Sequence, residues 1–249
     1  MRTWFAAGFV LAFALTSPAG LAGAADAADP ETAAVDEPRE PAAGEGVTTA
    51  QRDAARLRTL LNGFDALYAD VIQRSVDGRG VALRESRGRL WVARPNRFRW
   101  EVDTPFAEVL VGDGELIHLW DPDLEQVTIR PYDERLAGTP ARLLTGSLDE
   151  LLAAHDVARR GEAGLADDGR ERFALIARDD DALFERMELL FVDGSPRMLS
   201  VSDRLGQRTE VLLQGVRTDV DHDADRFRFE VPAGADVIRE AAVAAPGSG

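Results

Sequence analysis

The sequence predicts a mainly β protein, built as one curled antiparallel sheet with helical segments across its open side. Apolar and polar residues alternate with period two through most of 81–231, and Gly, Pro and Asp separate the alternating runs. Only two segments show a helical period instead. A long antiparallel sheet has one apolar face to bury, and two short helical segments cannot cover a flat sheet of this size, so the sheet must curl.

The first 24 residues have the three-part pattern of a secretory signal peptide. Arg2 is followed by an apolar run of about 12 residues, and small residues end the segment at Ala22-Gly23-Ala24. A membrane-spanning helix needs about 20 apolar residues, so an anchor is disfavoured. We expect 1–24 to be a signal peptide cleaved after Ala24, and the mature protein to lie in the periplasm.

The next segment, 25–48, has the composition of a disordered acidic leader. From 25 to 48 it holds seven Ala, three Pro and seven acids against the single base Arg39, with hardly a large apolar residue. Such a segment cannot bury enough apolar surface to offset the entropy of ordering. We therefore expect one folded domain over 49–240, followed by a flexible tail over 241–249.

Charge and residue usage exclude several classes of function. The formal net charge is −15, which disfavours nucleic acid and anionic lipid surfaces as partners. All 29 basic residues are Arg, which either a GC-rich genome or adaptation to salt would explain. Cysteine is absent, so disulfides, thiolate metal sites and attachment of a lipid to the chain itself are excluded.

A first helix is predicted to begin near Thr48, where Thr48 and Gln51 stand at capping-box spacing. It should end at Asn62-Gly63. One face of this helix is expected to be apolar, with Ala50, Ala54, Leu57, Leu61 and Phe64.

About ten strands are predicted after this helix, most of them paired with their neighbours in sequence. Asp113-Gly114 indicates a type I′ hairpin, and Asp193-Gly194 marks a later turn. The predicted strands are 81–94, 98–102, 108–111, 115–120, 126–130, 172–177, 185–192, 197–203, 208–216 and 227–231.

A second helical segment interrupts the strands over 140–155. Ser147 and Glu150 stand at capping-box spacing within it. Its leucines recur at helical spacing and are Leu143, Leu144, Leu148, Leu151 and Leu152.

Motifs for catalysis, metals or cofactors are missing. The three histidines have no HxH or HxxxH spacing, and Gly194-Ser195-Pro196 is a turn rather than a nucleophile elbow. Five acids fall in an EF-hand register, but Ala224 stands where the loop needs Gly. Those acids are Asp219, Asp221, Asp223, Asp225 and Glu230. We predict no enzyme activity, no metal and no cofactor.

The most specific segment is 90–100, which contains the turn Arg94-Pro95-Asn96 and leads into alternating aromatic residues. Asp113-Gly114, Gly138-Thr139-Pro140 and the segment 227–234 follow it in order. Together these motifs resemble the LolA family of outer-membrane lipoprotein carriers. The resemblance covers roughly 50–240.

The resemblance implies an unclosed, strongly curved antiparallel half-barrel, with a helical lid over an apolar cavity for lipoprotein acyl chains. It assigns Arg94 as the latch that bonds lid backbone, since a guanidinium carries five donors. Phe98, Trp100 and Leu110 would line the cavity. Leu143 and Leu144 match the family's lid, and we expect Leu148, Leu151 and Leu152 of the same helical segment to belong to it.

The resemblance also implies the partners. A monomer would take cargo from an inner-membrane ABC transporter of the LolCDE type and pass it to an outer-membrane receptor of the LolB type. Two alternatives share the fold: an envelope protein that senses lipid or lipoprotein, and an adaptor with a packed core.

Overall fold

A computed structural model describes residues 48–132, 144–160, 169–180, 182, 184–220 and 223–240. These residues belong to one compact unit, Val47–Gly249. Within them the chain is mainly β, as predicted, with twelve strands in one sheet and two α-helices. No helix in the described ranges has both the length and the apolar character that crossing a bilayer requires.

The elements follow one another in chain order. The helices are α1 (Thr49–Leu61) and α2 (Leu148–Ala154), with a 3-10 helix at Ala224–Phe227. The strands before α2 are β1 (Ala66–Val76), β2 (Ala82–Ala93), β3 (Arg97–Thr104), β4 (Glu108–Asp113), β5 (Leu116–Asp121) and β6 (Gln126–Pro131). Those after it are β7 (His155–Arg160), β8 (Arg170–Ala177), β9 (Arg186–Val192), β10 (Ser195–Ser202), β11 (Arg208–Arg217) and β12 (Asp236–Arg239).

The sheet is unclosed. Its strand order is β12-β6-β5-β4-β3-β2-β1-β11-β10-β9-β8-β7. Neighbours are antiparallel except β12, which runs parallel to β6. Most strands pair with their sequence neighbours through hairpins, as predicted, while the β1–β11 pair joins the two halves of the sheet.

One face of the sheet is apolar. Trp100 of β3 lies opposite Leu90 of β2 and Leu110 of β4, so all three side chains share a face with Phe98. We call this the apolar face. The register continues it across β1, β2, β3, β8, β9, β10 and β11 through the buried residues Leu67, Val71, Val92, Val102, Phe173, Leu189, Phe191, Leu199 and Leu213.

The N-terminal cap of α1 forms as predicted. The amide of Gln51 donates to Oγ1 of Thr48 at 3.2 Å, and the amide of Thr48 donates to Oε1 of Gln51 at 2.8 Å. The helix buries Leu57, Leu60 and Leu61.

Helix α1 lies on the apolar-face side of β7 and β8. Arg56 donates to both carboxylate oxygens of Glu171, at 2.9 and 2.6 Å. Glu171 pairs with Phe191 and therefore points to the apolar face. Asp53 also accepts a hydrogen bond of 2.8 Å from the amide of Arg159 in β7.

Helix α2 is a short element that begins at the predicted cap. Ser147 accepts from the amide of Glu150, and the helix ends at Ala154, because His155 already belongs to β7. Nδ1 of His155 donates to the carbonyl of Leu151 at 2.8 Å. Since His155 shares its face with Val157, α2 also lies on the apolar-face side.

The prediction of a strand over 227–231 is wrong. Asp223 caps the 3-10 helix by accepting from the amide of Asp225 at 3.1 Å, and this helix ends at the buried Phe227. The irregular chain that follows forms no ladder. The last strand of the sheet is β12, which lies further along the chain than 227–231 and pairs with β6.

Three strands were not predicted: β1, β7 and β12. In β1 the adjacent residues Val71 and Ile72 are both buried, which breaks the period-two pattern. The Asp113-Gly114 hairpin forms, but only Gly114 has a positive φ, of 108°, so its turn is not type I′. Asp193 and Gly194 have φ of 50° and 77°, as a type I′ turn requires.

Candidate functional site

The Arg94-Pro95-Asn96 turn joins β2 to β3 and is bonded to two other segments. Asn96 has a φ of 56°, a left-handed conformation that asparagine tolerates better than most residues. Its amide donates to the carbonyl of Thr145 at 3.1 Å, just before α2. The amide of Arg94 donates to the carbonyl of Asp65 at 2.9 Å, just after α1. The turn therefore ties the connection between α1 and β1 to the segment that precedes α2.

The side chain of Arg94 bridges the same two segments. Nε donates to the carbonyl of Leu144 at 3.0 Å, and Nη1 lies 3.5 Å from Oδ1 of Asn62. The guanidinium carbon is 5.1 Å from the centre of the Phe64 ring, a cation–π distance.

Burial dominates the electrostatics of this guanidinium. Desolvation lowers the pKa of Arg94, and the negative charge of Asp65 partly offsets the effect. Nη2 is buried and has no hydrogen-bond partner in the described part of the chain. The hydrogen bonds of the guanidinium are therefore incomplete, and a buried donor without a partner costs about 1–3 kcal/mol of stability.

The predicted wall residues lie together on the apolar face. Phe98, Trp100 and Leu110 are buried on adjacent strands. The Phe98 ring packs directly against Gly112, where a Cβ would come within 2.4 Å of Cε1 of the ring. Glycine at 112 therefore makes room for the aromatic wall.

The predicted lid leucines divide into three groups. Leu144 and Leu148 are buried, whereas Leu151 and Leu152 are half-buried. Leu143 lies outside the described residues. It stays a prediction that the helices open as a lid and that a cavity lies beneath them.

Sequence reasoning missed two carboxylates on the apolar face. Glu171 anchors α1, and Glu108 is buried beside the aromatic wall. A signal for Glu108 was available, because alternation along β4 puts position 108 on the same face as Leu110.

A separate pocket of about 330 Å³ opens on the opposite face. Arg97 and Asp113 line it together with Leu116, His118, Ala224, Phe227, Arg228 and Phe229. His118 stacks on Phe229 at 5.3 Å, and its Nδ1 is buried with no partner among the described residues. Nor do the described residues include a cluster of His, Asp and Glu that could hold a metal ion.

One unclosed sheet, antiparallel except at its β12–β6 pair and with two helices fastened on its apolar side, defines the half-barrel class of β proteins. Residues 62–230 match the family model described as outer membrane lipoprotein carrier protein LolA. The chain belongs to this LolA family.

Two relatives with 39–43% sequence identity agree with the family assignment. An outer-membrane lipoprotein carrier protein from Chromohalobacter salexigens is 43% identical over 188 residues, which cover 75% of this chain and 87% of that protein. One from Pseudomonas fluorescens is 39% identical over 189 residues, covering 76% and 89%. A solved structure of a LolA superfamily protein from Nitrosomonas europaea aligns with 73% of this chain and 98% of its own, with a TM-score of 0.42 and 11% identity.

Proposed function

We propose that this chain is a periplasmic lipoprotein carrier. It takes lipoproteins released from the inner membrane, shields their acyl chains against its apolar face, and delivers them to an outer-membrane receptor. The observation that carries the proposal is the apolar face itself, with helices fastened over it at one turn through Arg94. Relatives named as outer-membrane lipoprotein carriers support the same function.

The chemistry of the cargo explains why such a face is needed. Each buried methylene of an acyl chain is worth about 0.8 kcal/mol, so two or three long chains cost tens of kcal/mol to expose to water. In this proposal α1 and α2 form a lid, and acyl chains enter a cavity between them and the sheet. Phe98, Trp100 and Leu110 form the wall of that cavity.

Arg94 acts as the latch in this scheme. Its bonds to Leu144 and Asn62 hold the two helical segments together in the empty protein. Entering acyl chains separate these segments and break those bonds. Because the guanidinium keeps an unbonded donor even when closed, the closed state is only partly satisfied and can be exchanged for a loaded one.

Differences in affinity drive transfer, because the sequence carries no nucleotide-binding motif. An ATP-driven transporter of the LolCDE type supplies the cargo, and a receptor of the LolB type accepts it. Residues 1–24 serve as signal peptide and 25–48 as a leader, with the carrier domain over 49–240 and a tail over 241–249. The carrier works as a monomer.

The proposal is tested with inner-membrane vesicles that contain the transporter and a labelled lipoprotein. After ATP is added, the wild-type chain should recover the lipoprotein in the supernatant as a one-to-one complex, and should then transfer it to the receptor. Cargo that stays in the vesicles while the chain binds it there would favour the rival, a lipid- or lipoprotein-sensing or adaptor protein of the same fold.

A further inference from the structure

The apolar face changes character along its strands. Near the Arg94 turn and in the middle it carries aromatic and aliphatic residues, including Phe98, Trp100 and Leu110. Beyond Val102 and Leu110, toward the opposite end of the strands, the same register brings polar side chains onto this face. They are Gln73, Ser75, Arg84, Ser86, Glu108, Asp121, Gln126 and Thr209.

Glu108 is the most deeply buried acid at this end. It lies opposite Val102 and two positions from Leu110, and it is 5% exposed. Its carboxylate makes no hydrogen bond or ion pair within the described ranges, although Arg84 is close enough to act on it electrostatically. Burial raises the pKa of Glu108, Arg84 lowers it, and Asp121 raises it further.

Two neighbouring polar side chains, Ser86 and Arg84, also make no hydrogen bond in the part of the chain described. Ser86 is 6% exposed. The guanidinium carbon of Arg84 lies 5.9 Å from the centre of the Phe106 ring. On the opposite face of β2, Glu85 is paired with Arg74 and Arg87, each at 2.8 Å. At this end of β2, ion pairs therefore satisfy Glu85 on the opposite face, while Arg84 and Ser86 on the apolar face have none among the described residues.

Polar side chains that have no hydrogen-bond partner in the described part of the chain, and that lie beside an apolar wall, suit a ligand with both polar groups and hydrocarbon, because the ligand can supply the missing hydrogen bonds. We call Arg84, Ser86 and Glu108 the polar margin. Arg84 and Ser86 offer donors for carbonyl oxygens, and Glu108 offers an acceptor for N–H groups.

Resting on the proposed carrier function, we propose that the polar margin binds the acylated N-terminal residue of the cargo lipoprotein. Its ester and amide carbonyls accept from Arg84 and Ser86, and its amide N–H groups donate to Glu108. The acyl tails then run along the apolar face toward Arg94. Val102 lies five residue steps beyond Arg97 in β3, roughly 17 Å of strand, which accommodates most of a long acyl chain.

The test compares a ligand that has both hydrocarbon chains and carbonyl groups with a ligand that has hydrocarbon alone. One is a synthetic triacylated cysteinyl lipopeptide, and the other is a pyrene-labelled hydrocarbon that has no carbonyl. In Glu108→Gln and Arg84→Gln, the lipopeptide Kd should rise at least fivefold while the hydrocarbon Kd stays within twofold. The matched controls are Glu85→Gln and Arg87→Gln, which make the same changes at the same end of β2 on the opposite face and should alter neither Kd.

Three other outcomes would each overturn the inference, for different reasons. An unchanged lipopeptide Kd in both variants would place the head group elsewhere and overturn the inference. Equal weakening for both ligands would make these residues supports of the wall rather than a head-group site, which also overturns it. Wild-type protein that binds neither ligand would instead defeat the carrier function, and the inference with it.

Discussion

At the scale of single residues, Arg94 combines properties that lysine could not supply. Its planar fork reaches the Leu144 carbonyl and the Asn62 amide oxygen at once, while the guanidinium carbon lies at cation–π distance from the Phe64 ring. All three contacts are to uncharged groups. They can therefore be broken without leaving a buried counter-charge behind, which suits a contact that must open and close.

Replacing Arg94 with Leu should keep the fold and impair hand-over. Hydrogen bonds from a charged donor are worth about 1.5–3 kcal/mol, and the empty, closed state loses them in the variant. The loaded state becomes relatively more stable, so loading from inner-membrane vesicles should persist while transfer to the receptor falls about tenfold or more. Both rates are measured with one labelled lipoprotein.

Arg97→Leu is the control for this experiment, because Arg97 follows three residues later and lines the pocket on the opposite face. It should transfer cargo at the wild-type rate. If Arg94→Leu also transfers at that rate, Arg94 is not the latch.

At the scale of secondary-structure elements, α1 depends on an ion pair with a buried carboxylate as well as on its apolar side. The side chain of Glu171 is only 9% exposed and lies within 3.2 Å of both Arg56 and Arg159. Hydrogen bonds from Arg56 are the main cause that lowers the pKa of Glu171, against the opposing effect of burial. This carboxylate holds α1 against β7 and β8.

Glu171→Gln should therefore destabilise the protein at neutral pH, by about 1.5–3 kcal/mol. The folded-state pKa lies below the ordinary value of 4.5, so the stabilisation is present above that value and is lost as pH falls through the folded-state pKa. Urea unfolding at pH 7 and pH 3 should show a wide gap between wild type and variant that narrows in acid. Glu115→Gln, at an exposed carboxylate, should show no gap at either pH; a Glu171→Gln gap that is constant with pH would contradict the ion-pair account.

The leader is an element predicted only from composition. Its Ala, Pro and acid content leaves little to pack, so deleting 25–45 from the mature chain should leave the thermal midpoint unchanged within error. Differential scanning calorimetry of the two forms decides this. A drop of several degrees would mean that the leader docks on the domain.

At the scale of the whole molecule, local patterns predicted the class of sheet but not all of its strands. The alternation at Phe98 and Trp100 and the Thr48 capping box are local signals, and the structure has both. Strand β12 depends on a parallel pairing with β6 that lies more than a hundred residues away in the chain, and its own sequence is short. No local period reports such a pairing.

The candidate site also has one part that local sequence predicted and another part that depends on distant strands. The Arg94 turn was predictable because its motif is contiguous in sequence. Glu108 was not recognised although alternation along β4 places it on the same face as Leu110, because carboxylates are usually exposed and its burial opposite Val102 becomes evident only in the assembled sheet. Arg84 and Glu108 belong to different strands, so their proximity is a property of the assembled sheet.

The whole-molecule prediction concerns that assembled face. Mature protein should bind a fluorescent fatty-acid probe at about one site, and Leu110→Glu should weaken binding tenfold or more, because it places a charge within an apolar wall.

Val109→Glu is the matched control, since Val109 is the adjacent residue and points to the opposite face beside Trp120. It adds the same charge to the same strand and should leave the probe Kd within about twofold. Thermal unfolding of both variants establishes that they are folded. Equal loss of binding in both would attribute the effect to damage to β4, and wild-type protein that takes up no probe would contradict the carrier function, because a carrier of acyl chains must offer them a place on its apolar face.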